Sequence, residues 1–156
     1  MKNLKYVVIC AVFVFFMSAA VTGWAVEKID TDKILAVEGW MDVYTGYQVD
    51  ESFIDTLKAK IGGSLKIDVY LGTWCGDSKR NVPAFIKIIE AINNPGVEVN
   101  YYTVERKPNK ETKYFVKDLK VERVPTFIFY REDKEIGRII ENPKNSLVED
   151  FLEIVF

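Results

Sequence analysis

Apolar and polar positions alternate from Leu65 to Leu71 (LKIDVYL) and then turn wholly apolar, which predicts a central strand. The period then changes. Val82, Phe85, Ile86, Ile89 and Ile92 recur at helical spacing and predict a helix over Asp77–Asn93, which Pro83 should kink. Asn94-Pro95-Gly96 stops it, and Val97–Val104 (VEVNYYTV) reads as a second strand. Upstream, Asp50 can cap a helix with Phe53, Ile54, Leu57 and Ile61 on one face and Gly62-Gly63 at its end. Downstream, Tyr114, Phe115 and Leu119 suggest a weaker helix over Asn109–Leu119. Thr126–Tyr130 and Glu135–Ile140 flank a tight polar turn and predict a hairpin. Ser146-x-x-Glu149 is a capping box opening a last helix, with Leu147, Phe151, Leu152 and Val155 inward.

Residues 27–47 are less regular. Ile34, Leu35, Val37, Trp40, Val43 and Tyr44 fit no single helix, and the stretch is expected to add a short helix and an edge strand to the main domain. The first half of the chain alternates helix and strand, and the second ends in a hairpin and a helix. That order predicts an α/β fold, a mixed sheet of four or five strands with helices on both faces.

The first residues have the pattern of a targeting segment. Met1–Lys5 is short and positive, Tyr6–Met17 is apolar, and small residues stand at Ser18-Ala19-Ala20 and Gly23-Trp24-Ala25. Residues 1–25 are therefore expected to be a signal peptide cleaved after Ala25. The rival is an uncleaved anchor, since no charge occurs between Lys5 and Glu27, roughly 20 residues and about a bilayer's width. Either reading places the remainder outside the cytoplasm, in a periplasmic or similar extracytoplasmic space, with a membrane contact only if the leader is retained. Two parts follow it: 26–48, an extension, and 49–156, the main domain.

Composition narrows the chemistry. At 49% apolar and 28% charged, the 156 residues can build a core. Taking Lys2 and Lys5 from 21 basic residues leaves 19 against 23 acidic ones, a net charge of −4 for the cleaved chain. A mildly acidic domain is a poor nucleic-acid partner. The chain has no histidine, which excludes His-based triads and His metal sites, and no metal or cofactor is expected. Of two cysteines, Cys10 lies in the leader, so Cys75 has no partner for a disulfide within the exported chain.

Around Cys75 the chain resembles the thioredoxin superfamily. The family's Trp-Cys-Gly-x-Cys loop after a central strand corresponds to Trp74-Cys75-Gly76-Asp77-Ser78; its helix proline, eight positions past the first cysteine, to Pro83; its cis-proline motif to Val124-Pro125-Thr126. The resemblance covers Val49–Phe156 and implies a thioredoxin-like fold. Two departures stand out. Ser78 replaces the second cysteine, and Val69 stands where the family often buries an acid, with Asp68 on the opposite strand face.

A cysteine at a helix N-terminus meets unpaired N–H groups that favour the thiolate, the form that attacks disulfides. Ser78 is expected to donate a hydroxyl to the sulfur, and the charge of Asp77 to oppose an anion there. The resemblance implies that Val124-Pro125 lies beside Cys75 through a cis bond, with the Val124 backbone free to pair with an extended substrate, and that Trp74, Gly76, Asp77 and Thr126 complete the contact surface. With Ser78, Cys75 can form a mixed disulfide but needs an outside thiol to resolve it. The expectation is a monomeric protein doing monothiol exchange with protein thiols or disulfides or a low-molecular-weight thiol. The alternatives are a redox-inactive peptide-binding module and, more remotely, an iron–sulfur carrier like the monothiol glutaredoxins.

Overall fold

LKIDVYL becomes the middle of one five-stranded mixed sheet. The computed structural model describes residues 26–107, 109 and 111–156; the predicted leader, 1–25, lies outside the described residues. The strands are β1 (Val26–Lys28), β2 (Leu65–Leu71), β3 (Val97–Val104), β4 (Thr126–Arg131) and β5 (Lys134–Ile140), in the spatial order β1-β3-β2-β4-β5. β2 runs parallel to β3, with Ile67 opposite Val99, and every other pairing is antiparallel. Five helices join them: α1 (Thr31–Leu35), α2 (Trp40–Gly46), α3 (Glu51–Lys60), α4 (Gly76–Ile92) and α5 (Leu147–Val155).

The alternation in β2 sorts the two faces of the sheet. Leu65, Ile67, Val69 and Leu71 are all buried on one face, with Phe127 and Phe129 from β4 beside them. All five helices pack on that face and on one another. Phe85 of α4 sits among the rings of Phe127, Phe129 and Phe151 at centroid distances of 4.7, 6.4 and 6.0 Å. Burying each such ring contributes about 1.5–3 kcal/mol. Gly137 lets α5 settle against β5, because a Cβ there would lie 2.9 Å from Ile154.

Local signals place the helix ends. Asp50 caps α3 by accepting from Ser52 N–H at 3.0 Å, and Ser146 caps α5 by accepting from Glu149 N–H at 3.2 Å. Buried Asp150 accepts from the N–H groups of Lys144 and Asn145 at 2.7 and 3.2 Å and fixes the approach to α5. The hairpin turns through Glu132 and Asp133, both at positive φ, as a two-residue connection demands. The 26–48 stretch supplies an edge strand as expected, and two short helices rather than one. Ile34 and Trp40, at 0 and 1% exposure, belong to the same core as the rest.

The other face of the sheet departs from expectation. The helix expected over Asn109–Leu119 does not form. Within its described residues the chain turns instead, and Val116 bridges to Val121 in an antiparallel pair. Two sets of polar bonds hold the turn that replaces it. Asn109 Oδ1 accepts from the N–H groups of Glu111 and Thr112, closing a local turn in place of a helix. Lys107 Nζ donates to the carbonyls of Lys113 and Glu122 at 2.6 and 2.7 Å, taking one backbone acceptor of the expected helix and tying the segment to the chain beyond it. The expected layer of helices on both faces is thus a layer on one. The second face carries this irregular segment, whose Phe115 and Val121 pack on Tyr70, Val104, Val124 and Ile128.

Candidate functional site

After Leu71 the chain must pass from strand to helix within four residues. The Cys75 N–H donates back to the Gly72 carbonyl at 2.9 Å, closing the turn. Gly72 is required here, since a Cβ would lie 2.7 Å from the Trp74 indole folded over it. The indole Nε1–H donates to the Val104 carbonyl at the end of β3, 3.2 Å away. Its ring meets Phe115 at 5.9 Å and carries the Arg106 guanidinium at 4.8 Å. Trp74, 38% exposed, is a wall of the site held from three directions rather than a free lid.

Cys75 is the N-cap of α4. Its backbone is extended and its carbonyl accepts from Lys79 N–H at 3.0 Å. The side chain makes no capping bond, so the sulfur is not used to hold the helix. Cys75 as a residue is half-buried, and its S–H donates to the Val124 carbonyl at 3.1 Å. Only the protonated sulfur makes that bond. Val124-Pro125 is cis, and the Pro125 carbonyl accepts from Glu141 N–H at 2.7 Å.

The neighbours divide into those that face the sulfur's surroundings and those that only build them. Gly76 faces open space. Asp77 pairs with Arg80 and accepts from Asn142 Nδ2 at 3.4 Å, so its charge is largely met at the surface instead of facing the sulfur unopposed. Ser78 departs from its expected role. It is fully buried and its Oγ accepts from Gly72 N–H at 3.2 Å; among the described residues no hydrogen bond joins it to the sulfur. A hydroxyl at the third position of a helix points toward the preceding turn, and here that turn is Gly72. Thr126 also differs from its expected place on the contact surface. At 1% exposure it donates to the Arg123 carbonyl at 2.7 Å and shapes the approach to β4. Val69 lies in the core and Asp68 on the opposite face, accepting from Asn100 Nδ2 at 3.2 Å, as the strand alternation requires. Burial, and after it the charge of Asp68, pushes the Tyr70 phenol well above its usual range.

Trp74, Cys75, Gly76, Asp77, Val124 and Pro125 are thus brought together. The sequence did not single out Val104, Arg106 or Phe115, which shape the opposite wall. The available signal was positional: Val104 to Arg106 lies at the carboxyl end of a parallel strand, where sites in such sheets collect. Among the described residues no cluster of carboxylates and thiols could hold a metal ion.

Comparison with known proteins gives three findings. A family model described as Thioredoxin matches residues 25–150. No curated protein matches. Among solved structures, a Pseudomonas aeruginosa protein of unknown function is similar with a TM-score of 0.56 and 16% identity, over 81% of this chain and 86% of that one. An HIV epitope scaffold is similar at 0.59 and 13%, over 82% and 92%. A Fasciola hepatica thioredoxin aligns at 0.41 and 23%, over 65% and 88%.

Proposed function

The chain belongs to the thioredoxin family, and from that premise we propose that it carries out monothiol thiol–disulfide exchange through Cys75. One observation carries the reading. Cys75 is an intermediate, partly exposed residue that caps the N-terminus of a 17-residue helix, with its sulfur 3.1 Å from the Val124 carbonyl. The sulfur attacks one sulfur of a disulfide, a new S–S bond forms to Cys75, and the other half leaves as a thiol. Ser78 offers no second sulfur, so an external thiol completes the cycle.

Clients in this reading are protein thiols or disulfides, or a small thiol. We also propose that the protein acts as a monomer outside the cytoplasm, on the pattern of its first 25 residues. No helix among the described residues is long and apolar enough to cross a membrane.

A second reading is favoured by a specific contact. The bond to the Val124 carbonyl satisfies a thiol and not a thiolate, which suits a binding module without redox chemistry, although it occupies a backbone acceptor that an added peptide strand would use. Two measurements separate them. Under the exchange reading, incubation with oxidised glutathione gives an adduct by intact mass that added thiol removes, and Cys75→Ala gives none. Alkylation of Cys75 should also gain rate with pH as the thiolate forms. A protein that stays unmodified, with slow alkylation at every pH, sinks exchange and leaves the binding module.

A further inference from the structure

Beside the cysteine lies a cleft of about 360 Å³ lined by Glu27, Thr73, Trp74, Thr103, Val104, Glu105 and Arg106. It forms where β1 joins β3 and the 72–75 turn closes over their ends. It adjoins the thiol's surroundings in two ways. Trp74 precedes Cys75 in the chain, and Val104 lines the cleft while belonging to the cluster on which Cys75 packs.

The cleft holds charges of both signs that do not meet. Arg106 lies over the Trp74 ring at 4.8 Å, which fixes its guanidinium at the wall. Among the described residues no carboxylate comes within 4.0 Å of it, and neither Glu27 nor Glu105 has a basic partner. Three other carboxylates in this region are paired: Asp77 with Arg80, Glu141 with Arg123, Glu122 with Lys113. An anion alone would meet two carboxylates here, and a cation alone would meet the guanidinium. A group carrying both signs a few ångströms apart satisfies all three.

We propose that this cleft is a subsite for the zwitterionic head of an α-amino-acid disulfide. Arg106 takes the α-carboxylate through its forked N–H donors, and Glu27 and Glu105 take the α-ammonium. This rests on the exchange reading above and names its small substrate. With cystine, the Cys75 sulfur bonds one sulfur of the ligand and the ligand's S–S bond breaks. The other half leaves as cysteine, which takes up the proton that Cys75 gave to solvent. Cys75 is oxidised to the mixed disulfide and the departing half is reduced.

The test compares four disulfides on the full chain, reading the rate of Cys75 adduct formation by intact mass at one pH and ionic strength. They are cystine, cystamine (no carboxylate), dithiodipropionate (no amine) and the neutral bis(2-hydroxyethyl) disulfide. Each rate is first divided by that disulfide's rate with a free small thiol, which removes intrinsic reactivity. Cystine should then exceed each of the other three about tenfold, the worth of one bidentate charge-assisted contact. In Arg106→Gln the ratio of cystine to the neutral disulfide, taken within that variant, should fall to within about twofold, with Arg106→Lys in between. Equal corrected rates for all four overturn the subsite and leave exchange standing. No adduct with any disulfide overturns both.

Discussion

In the exchange we propose, Ser78 is where one side chain decides the cycle. Its hydroxyl is turned to Gly72 N–H, so its contribution is to hold the turn and not to serve the sulfur. Replacing it with cysteine, Ser78→Cys, puts a thiol one helical turn from Cys75. The glutathione adduct of that variant should release without added thiol, whereas the wild-type adduct should persist; reverse-phase separation after removal of free thiol measures both. Stability should fall by about 1 kcal/mol, since sulfur accepts poorly from Gly72 N–H. A variant adduct as long-lived as the wild type's would mean the two positions do not communicate. At this scale the sequence was informative wherever the candidate site is built from contiguous residues. Trp74-Cys75-Gly76-Asp77-Ser78 and Val124-Pro125 could be read directly, and so could the separate faces of Asp68 and Val69. The orientation of the Ser78 hydroxyl could not be read. Whether it faces the sulfur or Gly72 depends on the tight turn that the Trp74 ring imposes, a contact between side chain and backbone with no sequence signature.

Among elements, α3 owes its start to a single carboxylate. Hydrogen bonds from the Ser52 side chain and then its backbone hold the Asp50 carboxyl below the usual carboxylate range of about 3.9. A folded value below the unfolded one stabilises the protein fully above the unfolded value and is lost as pH falls through the folded one. Asp50→Asn should therefore be less stable than wild type near neutrality, and the difference should shrink in acid below about pH 4. Urea midpoints across that range check it; a gap that does not change with pH would assign the effect to capping geometry alone. Elements with strong periodicity or a cap were legible, including α3, α4, α5, β2, β3 and the hairpin. The Asn109–Leu119 helix was misread because three apolar residues at near-helical spacing outweighed two local polar signals. Asn109 closes its own turn and Lys107 binds two backbone carbonyls, and the second of these is a long-range bond that sequence spacing does not reveal.

For the whole molecule, the 26–48 stretch is part of the same core and not an appendage. Trp40 is 1% exposed among α2, α4 and the sheet. Trp40→Ala should cost about 3–5 kcal/mol, a large fraction of an ordinary domain's stability, and lower the melting temperature well beyond a few degrees. Thermal melting followed by circular dichroism reads it, and a shift of only a few degrees would show that the extension is dispensable. The sheet order was not readable from pattern: β1 joins at the edge beside β3 although β2 follows it in the chain. The cleft holding Arg106 exists only because of that order, which brings Glu27 beside Glu105. The two tryptophans of the described residues have a further use. Trp40 is sealed in the interior, while Trp74 stands half-exposed next to Cys75 with a guanidinium on its ring. Those two indoles thus have separate duties. Emission from Trp74 should respond when a ligand or an adduct forms at Cys75. That from Trp40 should stay constant until the fold is lost, so one spectrum can distinguish occupancy from denaturation without any added label.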